Sequence, residues 1–138
     1  MTRLETPFVI GDLIIVEVRL TGPLGPAVGR FVLDTGAVAT TMIPELADSI
    51  GYSARNALMR TKVHTAIGEE EGYVVHVAEL AVLGFALPNF PVNVFDLGHD
   101  IHGLLGMNFL SDFNFEIRPT ERRVLVEKIA PEGAANCD

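Results

Sequence analysis

Residues 31–37 read FVLDTGA, a very apolar run that ends in an acidic residue, a small hydroxyl residue and a glycine. Residues 31–33 predict the end of a buried strand, because branched and aromatic apolar residues favour strands. Asp34, Thr35 and Gly36 predict a turn. One interpretation is an ordinary Asx-type turn, in which Asp34 bonds nearby backbone amides. The other gives the Asp34 carboxyl a chemical role, and the rest of the chain must decide between the two.

The segments around this stretch predict a chain made mostly of strands. Alternating or branched apolar runs indicate strands over residues 13–20, 28–33, 40–43, 61–67, 73–83, 90–95, 113–117 and 123–127. Residues 44–50 predict a short helix, with Pro44 in its first turn and Gly51 at its end. Residues 107–112 predict a helical turn, and the tail over 131–138 is expected to be mobile.

Two other stretches carry information about function. Gly68-Glu69-Glu70-Glu71-Gly72 predicts an acidic turn between two alternating strands, and so a hairpin. Leu104-Leu105-Gly106 is a second apolar run that ends in glycine, and Asn108 and Leu110 follow it. Taken in order with residues 31–37, these stretches resemble the retropepsin-like aspartic proteases over residues 13–126. Thr40 lies where that family usually has a hydroxyl residue.

The resemblance implies an all-β fold: a closed acid-protease barrel with one or two short helices and a flap hairpin. It implies that Asp34 is the catalytic residue and that Thr35, Gly36 and Ala37 form the active-site loop, with Thr35 bonding across a dimer axis. The flap would comprise Ile67, Gly68, Glu69, Glu70, Glu71 and Gly72. The second signature, Leu104, Leu105 and Gly106, would border the cleft. Ile67, Val94 and Leu104 are the apolar residues expected to favour apolar substrate side chains.

The chemistry of amide hydrolysis explains why such a motif would be paired. Two carboxyl groups about 3 Å apart cannot easily both ionise, so they share one proton. The ionised carboxylate can accept a proton from the attacking water, and the protonated one can donate to the carbonyl oxygen. This mechanism requires no metal and no cofactor.

The number of motifs indicates the assembly. Only Asp34 lies in an Asp-Thr-Gly; no other aspartate is followed by a hydroxyl residue and glycine. One copy per chain implies a homodimer in which the two Asp34 loops meet on a two-fold axis. The retroviral members have an acidic residue and an arginine at the positions of Val38 and Met107. Here an apolar contact between these two residues is expected in place of that ion pair, since neither charge is then left unpaired.

Other clusters have simpler interpretations. The three glutamates over 69–71 suit an exposed hairpin tip, although as a flap tip they could favour basic substrates. His99 and His102 could suggest a metal pair, but metal sites normally need three or four ligands, so a polar loop is the preferred interpretation. Cys137 lies in the tail, with no base or oxyanion hole indicated by the sequence.

Composition sets the remaining limits. The length of 138 residues suits a single domain over 1–138, and 49% hydrophobic residues suit a folded core. With 18 acidic and 10 basic residues, the formal charge of −8 argues against nucleic acid or an anionic membrane as partner. One cysteine excludes an internal disulfide framework. Since no apolar run has signal-peptide or spanning length, a cytoplasmic location is expected.

The preferred function is an aspartic endopeptidase that acts on peptides or proteins. One alternative is a catalytically silent peptide-binding or dimerisation module with the same fold, since a fold does not fix a function. A second alternative is a small barrel that holds an apolar ligand, with the motif accidental. Loss of cleavage on substituting Asp34 would distinguish the protease from both.

Overall fold

The computed structural model describes residues 3–7, 13–65, 68–98, 100–121 and 123–128. Over these ranges the chain forms ten strands and two short α-helices. The strands are β1 Arg3–Pro7, β2 Ile15–Gly22, β3 Gly25–Leu33, β4 Thr41–Met42, β5 Met59–Thr65, β6 Gly68–Val82, β7 Phe85–Val94, β8 Gly103–Leu105, β9 Phe113–Arg118 and β10 Arg123–Lys128. The helices are α1 Pro44–Ile50 and α2 Met107–Leu110, and a 3₁₀ turn spans Ala54–Asn56.

The larger sheet closes into a barrel. Its seven strands run in the order β2-β3-β8-β4-β7-β6-β5, and an additional pairing of β2 with β6 joins the two sides of the sheet. Six strands therefore form a closed mixed barrel, while β5 extends beyond it as the partner of β6. The expected all-β barrel with short helices is confirmed.

The strand order places two distant segments side by side. Strand β8 lies between β3 and β4, parallel to the first and antiparallel to the second. Leu33 is paired with Leu105, and Thr41 with Leu104. The end of β3, where the Asp-Thr-Gly motif begins, is thus adjacent to the Leu-Leu-Gly segment that is remote from it in sequence.

Apolar side chains fill the interior of the barrel. Phe31, Leu80, Val92 and Leu105 are all buried in one continuous cluster, to which α1 contributes Leu46, Ala47 and Ile50. Burial of this kind is the main favourable contribution to folding, at about 25 cal/mol per Å² of apolar surface. Since the interior is packed with side chains, the alternative of a barrel that holds an apolar ligand loses support.

A second sheet packs on the barrel. Its three strands run in the order β1-β10-β9, all antiparallel. Phe113 of β9 stacks on Phe109 of α2 at 4.6 Å between ring centroids and lies 4.8 Å from Phe85 of β7. Val124 and Val126 of β10 belong to the same buried cluster. The final hairpin predicted from the sequence is therefore attached to the barrel through aromatic contacts.

Helix α1 follows the rules that predicted it. Pro44 occupies its first turn, and Glu45 places a negative charge near the N-terminus. Gly51 ends the helix with φ of 100°, a left-handed conformation that glycine adopts readily, and its amide donates to the carbonyl oxygens of Ala47 and Asp48. The predicted bounds of 44–50 are confirmed.

Three parts of the chain differ from the sequence prediction or lie outside the described residues. The acidic segment is not a turn: Glu69, Glu70 and Glu71 lie within β6, paired with β5, and the chain reverses between Thr65 and Gly68. Strand β1 was not predicted. The tail over 131–138 lies outside the described residues. Among the residues described, no helix has the length and apolar character needed to cross a membrane.

Candidate active site

The Asp34 loop begins where β3 ends. The backbone amide of Asp34 donates to Leu105 O at 3.0 Å, so the first residue of the motif is bonded to β8. Its Oδ1 accepts a hydrogen bond from the Gly36 amide at 2.9 Å, and the Ala37 amide donates to Asp34 O at 3.2 Å. The Asx-type turn is therefore present, and it orients the carboxyl. Asp34 is half-buried, whereas Thr35 and Gly36 are exposed.

The second signature supports the loop from beneath. The amide of Met107 donates to Ala37 O at 2.7 Å, and that of Asn108 donates to Val38 O at 3.0 Å. Gly106 is buried against the loop, and a Cβ there would lie 2.5 Å from the carbonyl of Ala39. Glycine is required at this position because the two backbones approach too closely for any side chain.

A buried hydroxyl and an amide complete the junction. Thr40 is fully buried, and its Oγ1 donates to Asn108 Oδ1 at 2.7 Å and accepts from the Gly106 amide at 3.1 Å. The Thr40 amide donates to the same Asn108 oxygen at 2.9 Å. Asn108 Nδ2 donates to Pro91 O at 3.1 Å. The loop, the second signature and β7 thus share one hydrogen-bond network.

The structure brings two of the three predicted groups together. The loop over 34–37 contacts the segment 104–106 directly, with Leu105 buried and Leu104 half-buried. The strand that carries the predicted flap residues is adjacent to neither group: β4 and β7 separate β6 from β8 on one side of the barrel, and β2 separates β6 from β3 on the other. Val94, expected to border the cleft, is buried in the core instead, with 1% of its surface exposed. Ile67 lies outside the described residues.

The β5–β6 hairpin carries charges of both signs. Glu71 is directly opposite Lys62, and Lys62 Nζ lies 3.9 Å from Glu69 Oε2. The acidic run is therefore partly compensated by Lys62 on the facing strand. At the base of the hairpin, burial raises the pKa of Tyr73 above its ordinary value, and the negative charge of Asp48 raises it further.

The expected contact between Val38 and Met107 does not bury Val38. Its side chain is 84% exposed, while Met107 packs against the core cluster. Within one chain, Val38 is therefore an apolar residue that projects into solvent beside the Asp34 loop.

His102 has a structural role in the loop before β8. Its Nδ1 accepts a hydrogen bond from the Arg30 amide at 2.9 Å, its own amide donates to Arg30 O, and its carbonyl accepts from the Ile43 amide. His99, the other member of the hypothetical metal pair, lies outside the described residues.

Asn108 is the residue whose importance the sequence did not reveal. It follows the second signature in the sequence, but its hydrogen-bond partners Thr40 and Pro91 are 68 and 17 residues away. The available signal was a polar residue inside an otherwise apolar segment over 104–110. A polar side chain in such a segment normally has specific hydrogen-bond partners.

Comparison with known proteins agrees with this geometry. The sequence pattern of a family described as "Aspartyl protease" matches residues 16–109, more than half of the chain. Among curated proteins, no sequence matches. Among solved structures, the fold is similar to a retropepsin-like aspartic protease from Rickettsia conorii, with a TM-score of 0.70 and 21% sequence identity. The similarity covers 91% of this chain and 98% of that one.

The segment matched by the family pattern contains the Asp34 loop, the hairpin strands and the second signature. The chain belongs to the aspartyl protease family and has the retropepsin-like fold.

Proposed function

We propose that the chain is an aspartic endopeptidase whose active site forms when the Asp34 loops of two identical chains meet. The observation that carries the proposal is the contrast within the loop. Its ends and middle are bonded to residues 105–108, yet Thr35 and Gly36 at its tip are exposed. A rigid loop with an exposed tip suits a symmetric contact in which each chain presents the same surface.

The single motif makes the second chain necessary. Each chain supplies one Asp34, and the two carboxyls together form the dyad that shares one proton, as is well known for aspartic proteases. Thr35 would bond across the two-fold axis and fix the two loops. Gly36 would allow close approach, and Ala37 would border the bound peptide, with Leu104 beside it.

The reaction would proceed by addition and elimination. The ionised Asp34 carboxylate accepts a proton as the water oxygen bonds to the peptide carbonyl carbon, and the protonated carboxyl donates to the carbonyl oxygen. The tetrahedral intermediate, a gem-diol, then collapses: the carbon–nitrogen bond breaks, and the leaving amine takes a proton from the carboxyl that had deprotonated the water. One hydroxyl of the intermediate returns its proton to the other carboxylate and becomes the new carbonyl oxygen. One water is consumed, and the dyad recovers its starting protonation.

The β5–β6 hairpin is proposed as the flap. It extends beyond the closed barrel as a two-stranded ribbon, which leaves it free to bend over an extended peptide. The peptide would supply backbone hydrogen bonds like those of an added strand. Gly68 at the start of β6, with φ of 137°, gives the hairpin a glycine next to its reversal.

The test compares the wild type with Asp34→Asn on a peptide library between about pH 3.5 and 7, a range that spans ordinary carboxyl titration. We expect cleavage by the wild type and a loss of about 10²–10⁴-fold in the variant, because an amide cannot accept a proton from the attacking water as a carboxylate does. Sedimentation should show a dimer in both cases.

Asp96→Asn is the matched control. Asp96 Oδ1 accepts from the Gly98 amide at 2.8 Å, which is the same turn that Asp34 makes with Gly36. This control removes a charge from an equivalent turn outside the site, so its activity should be that of the wild type. A wild-type dimer that cleaves no peptide in this range would favour the silent binding module, and a monomer that cleaves would contradict the shared dyad.

A further inference from the structure

We propose that Asn108 is a positioning residue which, acting through Thr40, sets where the Asp34 carboxyl lies. This inference rests on the proposed function, because its consequence is the separation of two Asp34 carboxyls in a dimer. Asn108 itself lies in α2, outside the loop, so it acts on Asp34 only through the backbone that it holds.

The Asn108 side chain uses both of its functional groups at once. Its Oδ1 accepts from the Thr40 amide and from Thr40 Oγ1, at 2.9 and 2.7 Å, while its Nδ2 donates to Pro91 O at 3.1 Å. A carboxylate could accept the first two hydrogen bonds but could not donate the third. An apolar residue could make none of them. The three contacts together therefore specify an amide side chain.

Thr40 is the link between Asn108 and the loop. Its hydroxyl is buried and acts as both donor and acceptor, since it donates to Asn108 and accepts from the Gly106 amide at 3.1 Å. Removing this hydroxyl leaves the buried Gly106 amide without that acceptor, a change that is costly in a water-excluded position. Thr40 must therefore remain in register with residues 106 and 108.

The loop moves as a unit with the second signature. Asp34 is bonded to Leu105 at one end of the loop, Ala37 and Val38 accept hydrogen bonds from the amides of residues 107 and 108 in the middle, and Thr40 closes the other end. The bond from Asn108 to Pro91 then fixes this unit relative to β7, which pairs with the hairpin strand β6. Asn108 thus relates the position of Asp34 to the sheet that carries the proposed flap.

Two-fold symmetry doubles the effect of any displacement. Each chain moves its own Asp34, so a small shift of the loop changes the distance between the two carboxyls twice over. Since their interaction weakens with distance, the proton is shared less strongly and the two titration steps of the pair come closer together. Misplacement of about 1 Å can reduce a rate about 10²-fold.

The experiment compares Thr40→Val with Thr41→Val. Both remove a hydroxyl from a buried threonine, but among the described residues Thr41 Oγ1 makes only a long 3.4 Å hydrogen bond, to Ala39 O. We expect Thr40→Val to lower kcat by about 10–10²-fold with little change in KM, and to narrow the pH–rate profile. Thr41→Val should keep the wild-type kcat and pH–rate profile. Thr40→Ser, which retains the hydroxyl, should restore both the kcat and the profile.

Asn108→Asp isolates the other half of the network. The carboxylate retains an acceptor for Thr40 but loses the donor to Pro91, so kcat should fall less than in Thr40→Val, while KM again changes little. This variant decides the matter if Thr40→Val does not fold. The proposal is overturned if a folded Thr40→Val or Asn108→Asp variant has the wild-type kcat and pH profile. It is also overturned if Thr41→Val loses as much kcat as Thr40→Val.

A readout independent of turnover separates this inference from the proposed function. The Asp34 carboxyl carbon can be titrated by NMR in the wild-type dimer and in the two threonine variants. A curve altered in Thr40→Val but not in Thr41→Val supports the positioning role even if no peptide is cleaved, in which case only the protease proposal fails. Identical curves in all three proteins would refute the role of Asn108 and Thr40.

Discussion

At the scale of single residues, backbone atoms rather than side chains limit the space for a side chain at position 106. A Cβ at this position would lie 2.5 Å from both the carbonyl carbon and oxygen of Ala39 and 2.9 Å from Ala37 O. These atoms belong to the Asp34 loop and cannot rotate away. At Gly29, by contrast, the nearest atoms to a new Cβ are side-chain atoms of His102, Leu46 and Phe31, at 3.0–3.1 Å.

We therefore predict that Gly106→Ala lowers the free energy of unfolding by about 1–3 kcal/mol, the usual cost of overpacking. Gly29→Ala should cost less, because a Cβ there would lie at least 3.0 Å from its neighbours, so that they need to shift by only a few tenths of an ångström. Urea unfolding of both variants measures the difference. If Gly106→Ala proves the milder change, the close approach of the two backbones is not what requires glycine there.

The sequence predicted the individual site residues better than their connections. Asp34, Thr35 and Gly36 form a local motif whose turn depends only on neighbours, so it could be predicted. The hydrogen bonds of Asn108 join segments 68 and 17 residues apart and depend on the final strand order. Val94 was misplaced for a related reason: alternation shows which residues share a face, but not whether that face borders a cleft or the core.

At the scale of elements, the β5–β6 hairpin combines acidic and basic residues on facing strands. Lys62 is opposite Glu71 and near Glu69, and the side chains of Lys62 and Glu69 are more than half exposed. Pairs of this kind contribute little individually because water and salt screen them. Their combined effect is expected to matter more on β5, which among the described residues pairs with β6 alone.

We predict that Lys62→Glu accelerates amide hydrogen exchange in β5 and in the facing part of β6, because like charges then lie directly opposite each other. Lys62→Gln is the control: it removes the attraction without adding repulsion, so its exchange should be intermediate. High salt should reduce the differences in exchange rate among the three proteins. Equal exchange in all three at low salt would show that charge does not stabilise the hairpin.

The elements themselves were largely predictable, with two instructive exceptions. Strands with alternating burial and the helix α1, whose end glycine is Gly51, follow local rules. The acidic run over 69–71 was predicted as a turn because polar residues flanked by glycine usually form one. In the structure Glu70 is half-buried between exposed Glu69 and Glu71, but a run of three glutamates has no apolar alternation by which a strand could be detected. Strand β1 could not be predicted because it depends on pairing with β10, near the opposite end of the described chain.

At the scale of the whole molecule, one large apolar side chain is exposed beside the Asp34 loop, where the proposed dimer would form. Val38 is 84% exposed and projects next to Thr35 and Gly36. Leu24 is similarly exposed, at 75%, but it lies on the β2–β3 turn, where its amide bonds Ile50 O. The two residues form a matched pair, with only one of them beside the loop.

We predict that Val38→Lys weakens dimerisation about tenfold or more, corresponding to about 1.4 kcal/mol, because two new positive charges would lie close to the two-fold axis. Leu24→Lys adds the same charge elsewhere and should leave the dimer unchanged. Sedimentation equilibrium over a range of protein concentrations gives both dissociation constants. Equal constants would place the dimer contact on another surface.

The insertion of β8 between β3 and β4 also has a consequence for the order in which the protein is made. Strands β3 and β4 are separated by seven residues, but the strand between them is supplied by Gly103–Leu105. Because synthesis proceeds from the N-terminus, the Asp34 loop emerges from the ribosome well before the segment that holds it. A growing chain therefore carries the motif without its supporting strand, and the site cannot take its final shape until most of the protein has been translated.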